Sequence, residues 1–136
     1  MRILIFTIFL ILLGQADNNK SVIYQTDYKK AQQEAKEENK YLFVVITSEN
    51  CRWCKKLKKT TLKNSEIEES LAKDYIAVAL DRDSSYFPKF IEIEGVPSVV
   101  IIEPKSQKVI RNIVGFREDA NDYLKWFRYV EIEKGE

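Results

Sequence analysis

Tyr41-Leu42-Phe43-Val44-Val45-Ile46-Thr47 passes through a short polar loop, Ser48-Glu49-Asn50, into Cys51-Arg52-Trp53-Cys54. The first seven residues are apolar, β-branched or aromatic almost without interruption. A strand with one wet face would alternate, so this run reads as a central strand covered on both faces and parallel to a neighbour. Cys51 then opens a helix that should continue through Leu57 to about Thr61. At such a strand-to-helix junction, free backbone N–H groups and the helix dipole gather around one point and favour an anion there.

Working outward, the N-terminal side offers Ser21 to Gln25 as a short edge strand. Thr26 or Asp27 can cap a helix through Tyr28, Ala31 and Ala35 to Asn39. On the C-terminal side, Ser65-Glu66-Ile67-Glu68 reads as a capping box opening a helix that ends near Lys73. Tyr75 to Leu80 is a second buried strand, closed by Asp81-Arg82-Asp83, and Ser85 to Ile91, containing Pro88, is a short helix or turn. Val96 to Ile102, entered through Gly95, is a third strand, and Lys108 to Val114 a fourth. The short link Glu103-Pro104-Lys105-Ser106-Gln107 makes these two an antiparallel hairpin. Gly115 breaks the strand, and Asp119 to about Ile132 is an amphipathic helix with Tyr123, Leu124, Trp126, Phe127 and Val130 available for burial. The order predicts a mixed central sheet with helices on both faces, a three-layer α/β domain.

The whole chain has 136 residues, 45% hydrophobic, with only four Gly and three Pro, which suits one domain and excludes a low-complexity chain. Met1-Arg2, an apolar run from Ile3 to Leu13 broken only by Thr7, and small Gly14 and Ala16 form the pattern of a cleaved signal peptide over residues 1–16, leaving a domain over 17–136. Eleven helical residues rise only about 17 Å against a hydrocarbon core of about 30 Å, so the run is too short to span a membrane unaided. Losing Arg2 takes the basic count from 22 to 21, level with 21 acidic residues, so nothing in the overall charge recruits nucleic acid. Export places the cysteines where disulfides persist, and a periplasmic location is expected.

Cys51 and Cys54 are the only concentrated chemistry in the sequence. One helical turn apart, they can close a disulfide, with Cys51 at the exposed helix start as attacking thiolate and Cys54 as resolving sulfur. Arg52, Lys55, Lys56, Lys58, Lys59 and Lys63 follow with no acidic residue between Asn50 and Ser65. Lys55 and Lys56 are the candidates to lower the Cys51 pKa, and the other lysines read as a solvated face. With no histidine in the chain, zinc would find half its ligands unless two chains shared a site. A c-type haem is excluded because Lys55 stands where His must follow Cys54. Copper(I) on two thiolates remains an option. A purely structural bridge closing so short a loop removes little unfolded-state entropy.

Cys-x-x-Cys at a helix start, Gly95-Val96-Pro97-Ser98 opening a later strand, an edge hairpin and a final helix together resemble the thioredoxin-like superfamily over nearly the whole domain. The nearest likeness is to secreted bacterial proteins of the SoxW or DsbD C-terminal-domain kind. The resemblance implies a thioredoxin-like three-layer α/β/α sandwich and a cis peptide between Val96 and Pro97 beside the cysteines. It also implies that Val96 and Pro97, with Trp53, contact an extended client. The implied activity is thiol–disulfide exchange with protein clients, in the reducing direction, by a monomer without cofactor, recharged by a thiol electron donor of a membrane relay. Departures stand beside it: Asn50 rather than Trp precedes Cys51, Arg52-Trp53 replaces Gly-Pro, and Val45 occupies the place of the family's buried Asp, leaving Glu49 as a substitute. Trp53 can equally face a client or fold over its helix. A client-binding or assembly module and a thiolate metal chaperone are the competing functions.

Overall fold

The computed structural model describes residues 21–135. The leader read at residues 1–16 lies outside them. Four strands, β1 (Tyr41–Thr47), β2 (Tyr75–Asp81), β3 (Ser98–Glu103) and β4 (Lys108–Val114), form one sheet in the order β2-β1-β3-β4. The helices are α1 (Tyr28–Glu38), α2 (Arg52–Lys59), α3 (Ser65–Asp74) and α4 (Asn121–Lys134), with a 3-10 turn at Thr61–Lys63 between α2 and α3. Among the described residues no helix is long and apolar enough to cross a membrane.

The unbroken apolar run of β1 follows from its place. It pairs in parallel with β2 from Tyr41–Tyr75 to Thr47–Asp81, and antiparallel with β3 from Leu42–Ile102 to Ile46–Ser98. Leu42, Val44 and Ile46 enter a cluster with Tyr28, Ala31 and Ala35 of α1. Phe43 and Val45 point the other way, into a cluster with Leu57 of α2, Ile67 and Leu71 of α3, and Tyr123, Phe127 and Val130 of α4. Residues of opposite parity thus serve opposite layers, and all five are fully buried. This is the three-layer sandwich the sequence implies.

The ends of the elements show the local physics. The Asp27 carboxylate accepts from the Lys30 N–H at 3.2 Å and caps α1, which closes on Asn39 in the left-handed conformation at φ 54°. The expected capping box on Ser65 is corrected. Asn64 is the cap, its side-chain oxygen accepting from the Glu66 and Ile67 N–H groups at 3.0 and 3.2 Å, and Ser65 is already helical. The edge strand expected over Ser21–Gln25 reduces to one parallel bridge, Gln25 with Val78. It rests on two hydrogen bonds, Gln25 N–H to Ala77 O and Ala79 N–H to Gln25 O, both 2.8 Å.

Between β2 and β3 no helix forms, because Pro88 disfavours helical geometry at Phe87 and other interactions take over the backbone. The Asp81 carboxylate accepts from the Asp83 and Ser84 N–H groups at 2.8 and 3.0 Å, and these bonds, Asp83's foremost, hold it below the usual carboxylate range. Phe87, Phe90, Ile91 and Ile93 of this connection pack beside α1 and complete its layer.

Phe43 carries the centre of the opposite layer. Its ring meets Tyr75, Tyr123 and Phe127 edge-on, with centroids 6.3, 6.4 and 5.7 Å away. Phe43→Ala should lower unfolding free energy by about 3–5 kcal/mol. Chemical denaturation of the oxidised protein checks this, and a loss under ~1 kcal/mol would show that the four-ring packing is not the centre of stability.

Candidate active site

The β1–β3 pairing ends at Ile46 opposite Ser98, so Pro97 lies beside the end of β1 from which the cysteine loop departs. In that loop Asn50 adopts φ 59°, a left-handed turn that asparagine tolerates better than most residues. Cys51 follows in extended geometry as the N-cap of α2. Its carbonyl accepts from the Lys55 N–H at 3.2 Å, and its sulfur accepts from the Cys54 N–H, also at 3.2 Å. One backbone donor, the Cys54 N–H, thus points at the Cys51 sulfur at the start of α2, where it and the helix dipole would stabilise a thiolate.

Cys51 and Cys54 form a disulfide, with Cα atoms 5.2 Å apart. The two are unequal. Cys51 is half-buried, whereas Cys54 is only 3% exposed and takes its place beside Leu57 on the buried face of α2. A partly exposed cysteine joined to a buried one is the asymmetry an attacking and resolving pair requires.

A groove of about 310 Å³ opens at Trp53, the residue just before Cys54, and is lined by Trp53, Val96, Pro97, Gly115 and Phe116. The Val96–Pro97 peptide is cis. Pro97 is buried, its carbonyl accepts from the Gly115 N–H at 2.8 Å, and the Ser98 hydroxyl donates to the Gly95 carbonyl at 2.6 Å. Val96 is partly exposed and packs against the α1-side core. Gly115, at φ 85°, makes a turn that a side chain would strain. Of the residues singled out in the sequence, Trp53, Val96 and Pro97 therefore share one groove, at the end of the sheet from which the loop to Cys51 and Cys54 departs.

The structure gives Trp53 a third neighbour besides client and helix, the Phe116 ring. Its ring stacks on Phe116 with centroids 5.3 Å apart and planes at 26°, yet the residue stays 45% exposed. Phe116 is the residue that sequence reading missed. A Phe after Gly beyond a strand has no pattern of its own, and only the fold brings it to Trp53. Its loop is fastened to the 3-10 turn that follows α2, where the buried Thr61 hydroxyl donates to the Arg117 carbonyl at 2.7 Å and also reaches the Glu118 carbonyl at 3.3 Å.

The lysines divide. Lys56 places its ammonium 5.3 Å from the Trp53 ring centroid and 4.9 Å from that of Phe116. Lys55 is exposed on the same helix. Lys63 turns away to Glu68 at 3.4 Å, and Lys58 lines a separate cavity of about 220 Å³ with Tyr24 and Val45. Val45 is fully buried and Glu49 exposed, so neither brings a sheltered carboxylate to Cys54. Among the described residues no three of His, Cys, Asp or Glu converge as a metal site.

A mixed sheet carrying a Cys-x-x-Cys disulfide at a helix start, faced by the turn into β3, defines the thioredoxin-like class. The chain belongs to that family: residues 28–131 match the model of the thioredoxin-like domain. It is similar to mouse anterior gradient protein 3, with 32% identity over 79 residues, covering 57% of this chain and 47% of the relative. It thus spans about half, or less, of the length of the curated relatives it matches. Among solved structures, a thioredoxin from Thermus thermophilus superposes with a TM-score of 0.69 at 20% identity, covering 83% of this chain and 90% of that one. The oxidised C-terminal domain of DsbD from Neisseria meningitidis gives 0.60 at 17% identity, covering 79% and 98%.

The unequal exposure of the sulfurs makes a chemical prediction. After reduction, iodoacetamide should modify Cys51 at least about tenfold faster than Cys54, because alkylation needs an accessible thiolate. Peptide mapping of a partial reaction checks this, and equal labelling would remove the assigned division of labour.

Proposed function

We propose that this chain is an exported, periplasmic thiol–disulfide oxidoreductase that reduces disulfides in protein clients. The observation carrying the proposal is the half-buried Cys51, capping the helix whose Trp53 lines the groove with Pro97, and bonded to a sheltered Cys54. Family membership and the shared fold support the same activity. The leader pattern of residues 1–16 supports export.

In the reduced protein, Cys51 thiolate attacks one sulfur of a client disulfide. A Cys51–client disulfide forms, and the client's other sulfur leaves as a thiolate and takes a proton from water. Cys54 loses its proton and attacks the Cys51 sulfur, forming the Cys51–Cys54 bond and expelling the second client thiolate. Two electrons have then passed from the Cys pair to the client. A second dithiol, assigned here to a membrane thiol relay, returns them by the same chemistry in reverse. No organic cofactor takes part. Val96 and Pro97 form the floor on which an extended client backbone lies, and Trp53 forms its side wall. Lys55 and Lys56 add positive charge near the attacking thiolate.

Cys54→Ala should accumulate covalent, reductant-sensitive client complexes through Cys51, and the double variant lacking both sulfurs should accumulate none. Partners retained equally without either sulfur would mean a binding module instead. Equilibration with glutathione should give the pair a potential near that of thioredoxin, about −270 mV, and a value near the about −120 mV of a strong oxidant would reverse the direction.

A further inference from the structure

The groove beside the cysteines has a chemical character of its own. Trp53 and Phe116 stack to form a flat apolar shelf that remains open to solvent at Trp53. Cations surround it: Arg52 places its guanidinium carbon 5.1 Å from the Trp53 ring centroid, and Lys56 sits over both rings. Among the described residues neither Arg52 nor Lys56 has a carboxylate in ion-pair contact. Glu118 and Asp119 line a neighbouring groove with Lys56 without pairing to it, and Glu49 is exposed in the preceding loop. Stacked rings, with cations that have no carboxylate partner held within about 5 Å of their centroids, match a ligand that presents an apolar ring and a negative charge together.

Building on the exchange activity above, we propose that the Trp53–Phe116 shelf with Arg52 and Lys56 selects client segments in which an aromatic residue and an acidic residue flank the reacting cysteine. The client ring stacks on the exposed side of the shelf while its carboxylate meets Arg52 or Lys56. The charge speeds encounter and the ring slows departure. Phe116 is on this account a specificity residue, apart from the sulfur chemistry.

The test uses four peptides, each closed by one internal disulfide and differing only in the residues flanking one cysteine: Phe with Asp, Phe with Lys, Ala with Asp, and Ala with Lys. Single-turnover rates with the prereduced mature protein should favour Phe/Asp over Phe/Lys by about tenfold at low salt, shrinking as salt rises. Phe/Asp should exceed Ala/Asp by about fivefold. R52Q combined with K56Q should erase the charge preference, and F116A the aromatic preference. F116L, which keeps bulk without the aromatic face, guards against a folding defect. These ratios are independent of the Cys51 thiolate fraction, which affects all four peptides alike. Neutral bis(2-hydroxyethyl) disulfide separates the two claims. No reaction with it overturns the oxidoreductase reading. Reaction with it but peptide rates equal within twofold overturns the selectivity alone, as do preferences that survive in the variants.

Discussion

The site depends on β1 being gripped from both sides. Parallel pairing with β2 and antiparallel pairing with β3 leave this strand no freedom to slide, since a one-residue slip would swap its two buried faces. Its last antiparallel partner, Ser98, fixes where the chain enters β3, and its own end fixes where the cysteine loop begins. Two segments about 45 residues apart in sequence are thereby set side by side. The loop geometry, the cap on α2 and the groove are all consequences of that register.

Within that frame the helix produces a difference in exposure between two identical side chains. Cys51 caps the first turn, its sulfur accepting from the Cys54 N–H, and Cys54 lies on the inward face with Leu57. Nothing in the residue types distinguishes them. Position on the helix does. The basic residues of α2 are held at its surface by the same geometry, because the narrow apolar face leaves every other position to solvent.

Much of this was legible in the chain before any coordinates. The apolar run of β1, the cysteine spacing and the four-residue tract around Pro97 are local signals with long-range meaning, and they led to the sandwich, the pair and the groove floor. Other parts were not legible. Asn64 displaced Ser65 as a cap because both residues are competent caps and only backbone geometry chooses between them. The stretch from Ser85 to Ile91 was legible only as a short helix or a turn, and the prolyl ring decides for the turn, closed by Ile91 N–H on the Pro88 carbonyl. Phe116 was invisible because its partner lies sixty-odd residues earlier, and a single aromatic has no period to betray it.

The loop bearing Phe116 is short and is fastened at both ends. Gly115 is tied to the Pro97 carbonyl, and the carbonyls of Arg117 and Glu118 are tied to Thr61. Three residues stapled to two different walls leave the ring little room to swing aside. The surface proposed to receive a client is therefore preorganised, and docking there would cost little ordering entropy.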